Sequence, residues 1–146
     1  MTMRKFKIMM SFILLVAVGI SFIGCDLKSK EKIKFRVIEE DRIELLNHQI
    51  IDSGIVTLES VASLYQPKDE FSEGDYSYQV TVRDLESNLF EVTIQEEGIM
   101  DDSIYGVISV LQIEKDKSIL KVVQIKEAYK CWPNRGHQDW SPELCN

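Results

Sequence analysis

The sequence predicts an α+β domain, an antiparallel β-meander of four to five strands with one or two short helices. Two observations carry this reading. Tyr76, Tyr78, Val80 and Val82 alternate with Ser77, Gln79, Thr81 and Arg83, and three more extended runs follow with turn residues between them. Ahead of them, Leu58, Val61, Ala62 and Tyr65 recur at helical spacing. Helices grouped before a run of antiparallel strands place the helical layer on one face of the sheet. An all-β, barrel-like sheet is the alternative.

The elements follow in order. Ile33, Phe35 and Val37 alternate with Lys34 and Arg36, the period of a half-buried strand. Residues 40–52 are ambiguous: Ile43, Leu46 and Ile50 have helical spacing, but Leu45 and Ile51 blur it. His48 sits in this apolar stretch and is expected to be partly buried with a satisfied ring. The next segment reads as a short helix, with Thr57 as N-cap and Pro67 as stop. Residues 67–75 form a polar connection.

Tyr76–Arg83 and Leu89–Gln95 then form a hairpin around the turn-like stretch Asp84–Asn88. Glu96–Ser103, with Gly98 and two aspartates, reads as a loop. Tyr105–Glu114 and Ile119–Tyr129 form a second hairpin around Lys115–Ser118. Along the last strand, Ile119, Lys121, Val123, Ile125, Glu127 and Tyr129 share one side, and Leu120 and Val122 take the other.

The first 25 residues have a separate organisation. Arg4, Lys5 and Lys7 form a basic start, and an apolar run from Ile8 to Ile23 follows, broken only by Ser11, Gly19 and Ser21. That run is short of the roughly 20 residues a membrane span needs. It has the layout of a secretory signal. A charged stretch, Asp26–Lys34, begins directly after Cys25. Phe22-Ile23-Gly24-Cys25 resembles the lipobox of bacterial lipoproteins, with Phe22 where that family usually carries Leu. The resemblance implies cleavage before Cys25, a diacylglyceryl group on its sulfur, and two or three acyl chains, palmitate among them. It implies attachment to a membrane facing the periplasm or the cell exterior. Asp26 resembles the residue that retains such proteins in the inner membrane of enteric-type Gram-negative bacteria. Residues 1–24 are then the signal, 25–32 the lipidated cysteine and spacer, and 33–146 a single globular domain. An uncleaved helix and a plain cleaved signal are the rival readings.

The chain holds 17 basic and 24 acidic residues. Arg4, Lys5 and Lys7 are the only charges in the first 24, so the remaining 122 residues hold 14 basic and 24 acidic residues, a formal charge of −10. Such a surface disfavours nucleic acid, whose phosphates need neutralising, and disfavours electrostatic docking on an anionic bilayer. A protein partner is compatible with it.

Export also bears on the other two cysteines. Cys131 and Cys145 form an even pair in an exported chain, so a disulfide is expected. It closes a loop of about 15 residues, for which chain entropy is worth roughly 3 kcal/mol. A two-cysteine metal site is the rival, but a second close ligand pair is missing. Metals and other cofactors are therefore not expected.

Phosphate loops, nucleophile elbows and His-Glu-x-x-His are absent, and His48 and His137 are the only histidines. No catalytic residues are assigned. Asp101 and Asp102, with Glu96 and Glu97 nearby, could gather calcium, but EF-hand spacing is lacking and a solvated acidic loop is the simpler reading. The distinctive segment is Cys131–Cys145, which holds both tryptophans of the chain, Trp132 and Trp140, with Arg135, His137 and Asp139. Trp and Arg are enriched at interface hot spots, and a pre-ordered loop binds with less entropic loss. A recognition loop competes here with a tail that covers a sheet edge and uses its tryptophans as plugs. A metal or catalytic site at His137 and Asp139 is a third reading.

The expected function is a non-enzymatic, membrane-anchored envelope lipoprotein that binds a protein partner, resembling immunity proteins or inhibitors. A structural or assembly lipoprotein of an envelope complex is the alternative, and a small envelope hydrolase is a third.

Overall fold

The structure is a computed structural model that describes residues 32–70 and 74–146. The expected signal, the lipidated Cys25 and nearly all of the spacer lie outside the described residues. Lys32–Asn146 form one compact unit. Its elements are β1 (Arg36–Val37), α1 (Glu40–Asp52), α2 (Leu58–Tyr65), β2 (Ser77–Asp84), β3 (Leu89–Glu97), β4 (Ile104–Asp116) and β5 (Ile119–Cys131). The strands form one antiparallel sheet in the order β1-β5-β4-β3-β2. This is the α+β meander, and the all-β alternative falls. No helix among the described residues is long and apolar enough to cross a membrane.

The ambiguous stretch 40–52 is a helix throughout. Leu46 and Ile50 are buried, while Leu45 and Ile51 are 60% and 70% exposed, so the residues that blur the pattern are those that face water. His48 is exposed rather than partly buried. It lies two residues from both Leu46 and Ile50, about 200° around the helix from each. A Schellman turn ends α1: Gly54 at φ +63° donates to the carbonyl of Ile51, and Ile55 donates to that of Ile50. α2 begins as expected, with Thr57 Oγ1 accepting from the Ser60 amide at 3.2 Å.

β1 is shorter than the expected 33–37, and the expected phase holds only from Ile33 to Phe35, which are half-buried on either side of exposed Lys34. Val37 is 58% exposed and Ile38 is buried. Arg36 pairs with Glu127 and Val37 with Lys126, so β5 sets the register of these two residues.

The β5 faces also differ from expectation. Ile113 pairs with Val122 and Gln112 with Gln124, leaving Val123 as an extra residue in a β-bulge. The bulge reverses the alternation. Leu120 and Val122 before it therefore share the buried side with Ile125 after it, while Ile119 and Val123 face out. With Val92, Ile94, Leu111 and Ile113 they pack under Leu46, Ile50, Leu58, Val61 and Ala62 of the helices. A second irregularity, at Tyr105, lies between the pairs Ile104–Cys131 and Gly106–Lys130.

β5 is closed at its outer edge in three places. β1 pairs with it, and Ile38 donates to Ile125. Asn47 reaches from α1: its Nδ2 donates to the Val122 carbonyl at 2.9 Å, and its Oδ1 accepts from the Val122 amide at 2.8 Å. Ser141 exchanges two backbone bonds with Tyr129.

Candidate functional site

The C-terminal segment starts where β5 ends. Cys131 and Cys145 are joined, with Cα atoms 5.5 Å apart. Several bonds that do not involve sulfur shape the loop between them. Cys131 donates to the His137 carbonyl, Arg135 to that of Trp132, and Asn146 to that of Arg135. The Gln138 amide reaches the carbonyls of Cys131, Trp132 and Gly136 at 3.2–3.3 Å. Gly136 sits at φ +144°, and a Cβ there would lie 2.8 Å from Cys131 Sγ, so the chain passes over the disulfide only with glycine.

Both tryptophans serve the fold and also meet solvent. Trp132 meets Tyr105 edge-on, ring centroids 4.8 Å apart, and its amide donates to Ser103. Trp140 lies over Gly106 on the sheet face opposite the helices; a Cβ on Gly106 would come within 3.0 Å of Trp140 Cη2. Lys130 Nζ stands 4.9 Å from the Tyr105 ring, 5.9 Å from the Trp140 ring and 3.3 Å from a Glu97 oxygen. The cation thus sits between aromatic faces, a stabilising arrangement. Trp132 and Trp140 are half-buried, and Arg135 and Asp139 are exposed. No ion pair joins Arg135 to Asp139. The expected plugging by tryptophan and an outward polar display therefore coexist.

His137 is the inward member of the loop. Its Nδ1 lies 2.9 Å from the Asp139 carbonyl oxygen, and its Nε2 lies 2.9 Å from the Glu143 carbonyl oxygen and 3.5 Å from Cys131 Sγ. One ligating atom each from Cys131, His137 and Cys145 falls within 4.8 Å of the others. Asp139 joins this group through its backbone only.

Asp101 does not gather an ion-binding loop with Glu96. Its Oδ1 accepts from the amides of Ser103 and Ile104, both at 2.8 Å, which builds the turn into β4. These amides, Ile104 first, hold its carboxyl below the usual range.

Glu96 is in β3, not in a loop, and it belongs to a buried polar cluster that the sequence did not disclose. Glu96 and Glu127 are each 7% exposed and Ser109 is fully buried, all on the helix-covered face. Glu127 accepts from Tyr65 Oη at 2.5 Å and from Tyr129 Oη. Glu96 accepts from Tyr76 Oη and from Gln66 Nε2, both at 2.7 Å. Ser109 Oγ donates to Gln66 Oε1, and Tyr78 Oη to the Gln66 carbonyl. Gln66, just past α2, is thereby fastened to three strands. Desolvation, then the bond to Glu127, raises the phenols of Tyr65 and Tyr129 far above their usual value. Desolvation, then the bond to Glu96, pushes Tyr76 up to about 12. The tyrosines stay neutral donors. Among the described residues no buried side-chain polar atom lacks a partner, so the cluster works as a clamp. The only sequence signal for it was the placement of Glu127 beside Ile125 and Tyr129.

Compared with known protein families, curated proteins and solved structures, the chain matches none.

Proposed function

We propose that this is a cell-envelope lipoprotein, anchored through lipid on Cys25, which binds a protein partner through the Cys131–Cys145 loop and catalyses no reaction. The loop carries the reading. Its shape is fixed before any partner arrives, by the disulfide, by backbone bonds and by two tryptophans seated on Tyr105 and Gly106. It presents Arg135 and Asp139 to solvent beside partly exposed aromatic rings. Ordering lost on binding is small for such a loop, and rigid aromatic and Arg anchors are what interfaces use. The anchor rests on the basic start, the short apolar run and Cys25. A formal charge of −10 beyond the signal favours a partner with a basic face, as an immunity or inhibitor role would require.

Cross-linking in solubilised membranes tests this. Wild type is expected to capture one discrete partner, and R135E/D139K to reduce capture by about tenfold, a loss of about 1.4 kcal/mol. Both side chains are exposed, so the variant keeps the fold. Equal capture by the variant, or none at any salt concentration, overturns the binding role. For the anchor, Cys25→Ala is expected to abolish palmitate incorporation and membrane partition; retention of both overturns it.

A further inference from the structure

We propose that the disulfide-closed loop is also a metal site in its reduced state, with Cys131, Cys145 and His137 binding one thiophilic divalent cation of the zinc type. The inference is independent of the partner-binding reading. Sequence spacing alone lacks a second ligand pair beside the two cysteines. The fold supplies the third ligand from inside the loop, where His137 turns inward onto the sulfurs.

Three observations carry it. The three ligating atoms lie within 4.8 Å of one another, and Nε2 is 3.5 Å from Cys131 Sγ. Zinc bonds of about 2.3 Å to sulfur and about 2.0 Å to nitrogen in a tetrahedron put neighbouring ligand atoms roughly 3.5–3.8 Å apart. Once the sulfurs are no longer bonded, side-chain rotation alone reaches that spacing.

Second, the ring is already oriented as a ligand. Nδ1 lies 2.9 Å from the Asp139 carbonyl oxygen and Nε2 lies 2.9 Å from that of Glu143, so a ring N–H can donate to either. With the proton on Nδ1 and held by Asp139, Nε2 ligates once a cation, in place of a proton, stands between it and the Glu143 carbonyl beside the sulfurs. The Glu143 carbonyl or a water completes a four-ligand set.

Third, the disulfide is not the only thing that shapes the loop. Backbone bonds Tyr129–Ser141, Cys131–His137 and Arg135–Asn146 tie it without using sulfur. Cys131 is 1% exposed, so one ligand lies in a nearly closed setting.

The chemistry balances as follows. A dithiol reductant passes two electrons and two protons to the bridge, the Cys131–Cys145 S–S bond breaks, and the reductant leaves as its own disulfide. The cation then binds both sulfurs as thiolates and releases their two protons to solvent. One cross-link replaces another, and the loop keeps its form.

Cobalt(II) titration of the full chain, reduced with a non-chelating phosphine and followed by visible and near-ultraviolet absorption, is the test. One equivalent should bind with tetrahedral d–d bands and a thiolate-to-cobalt charge-transfer band, and zinc should displace it. The oxidised chain should show neither band. H137A should weaken binding by more than the roughly 10–100-fold that a lost supporting hydrogen bond costs. H137C, which offers a third thiolate, should regain tight binding with a stronger charge-transfer band, and so decides the matter if H137A misfolds. The proposal is overturned by absence of the charge-transfer band in the reduced chain, by equal bands in the oxidised chain, by H137A binding as tightly as wild type, or by H137C failing to regain binding.

Discussion

Asn47 does with one side chain what a neighbouring strand would do with a peptide group. Its amide occupies both polar groups of Val122 on the outer edge of β5. Replacing it leaves two partly buried backbone groups unpaired, at about 1–3 kcal/mol each. Asn47→Ala is therefore expected to lower stability by about 2 kcal/mol, read as a lower urea midpoint at constant slope; a change near zero would show that water takes over both bonds. The tyrosines make a second case. Tyr65, Tyr76, Tyr78 and Tyr129 are all held above their ordinary value of 10.0. The folded chain thus keeps phenolic protons that the unfolded chain gives up. Their contribution is complete below pH 10 and is lost as pH rises through the folded values. In a Tyr105→Phe background, tyrosinate absorbance is expected to appear together with loss of the circular dichroism signal. Tyrosinate forming well before unfolding would contradict the clamp. Beyond the place of Glu127 beside Ile125 and Tyr129, none of this was legible in the sequence. Asn47 and Glu96 are residues that normally face water, and only the helix-to-sheet crossing tells which of them turn inward.

At the scale of elements, the strands and α2 were readable because one face of each meets the core, so the period survives in the sequence. Element ends were less so: β3 runs two residues further than expected because Tyr76 and Gln66 receive Glu96. The β5 faces were misread for a definite reason. A bulge adds one residue to a period of two, and nothing local marks it. That residue can be named, which yields a prediction. Removing Val123 leaves Val122 and Ile125 two positions apart, still on one side, so the deletion variant is expected to fold with a loss of about 1 kcal/mol or less. Removing Thr93 from unbulged β3 would throw Val92 and Ile94 onto opposite faces and is expected to prevent folding. Paired thermal melts check both; a folded Thr93 deletion would refute the register argument.

For the whole molecule, the disulfide asks whether tail and sheet form one cooperative body. The tail is bonded to β5 at Tyr129 and Cys131 and rests on Gly106 through Trp140, so the two should unfold together. Reduction without added metal is then expected to lower the unfolding free energy by about 3 kcal/mol, the chain-entropy value for a loop of this size. Denaturant curves monitored separately by tryptophan fluorescence and far-ultraviolet circular dichroism should stay superimposed; divergence would mean the tail frays on its own. The class of fold was legible in the sequence, because it depends on pattern. The inward turn of His137 was not, since it depends on Gly136 crossing the disulfide.

The plugged side of the sheet bears on how copies of the chain can meet. β5 is stoppered at its flank by β1, Asn47 and Ser141, whereas β2 carries no further strand among the described residues. A sheet with two open flanks can lengthen without limit, chain after chain. One with a single open flank is monovalent: it can take one more strand, and growth then ends. Crowded together, these domains can pair through that flank but cannot polymerise through it.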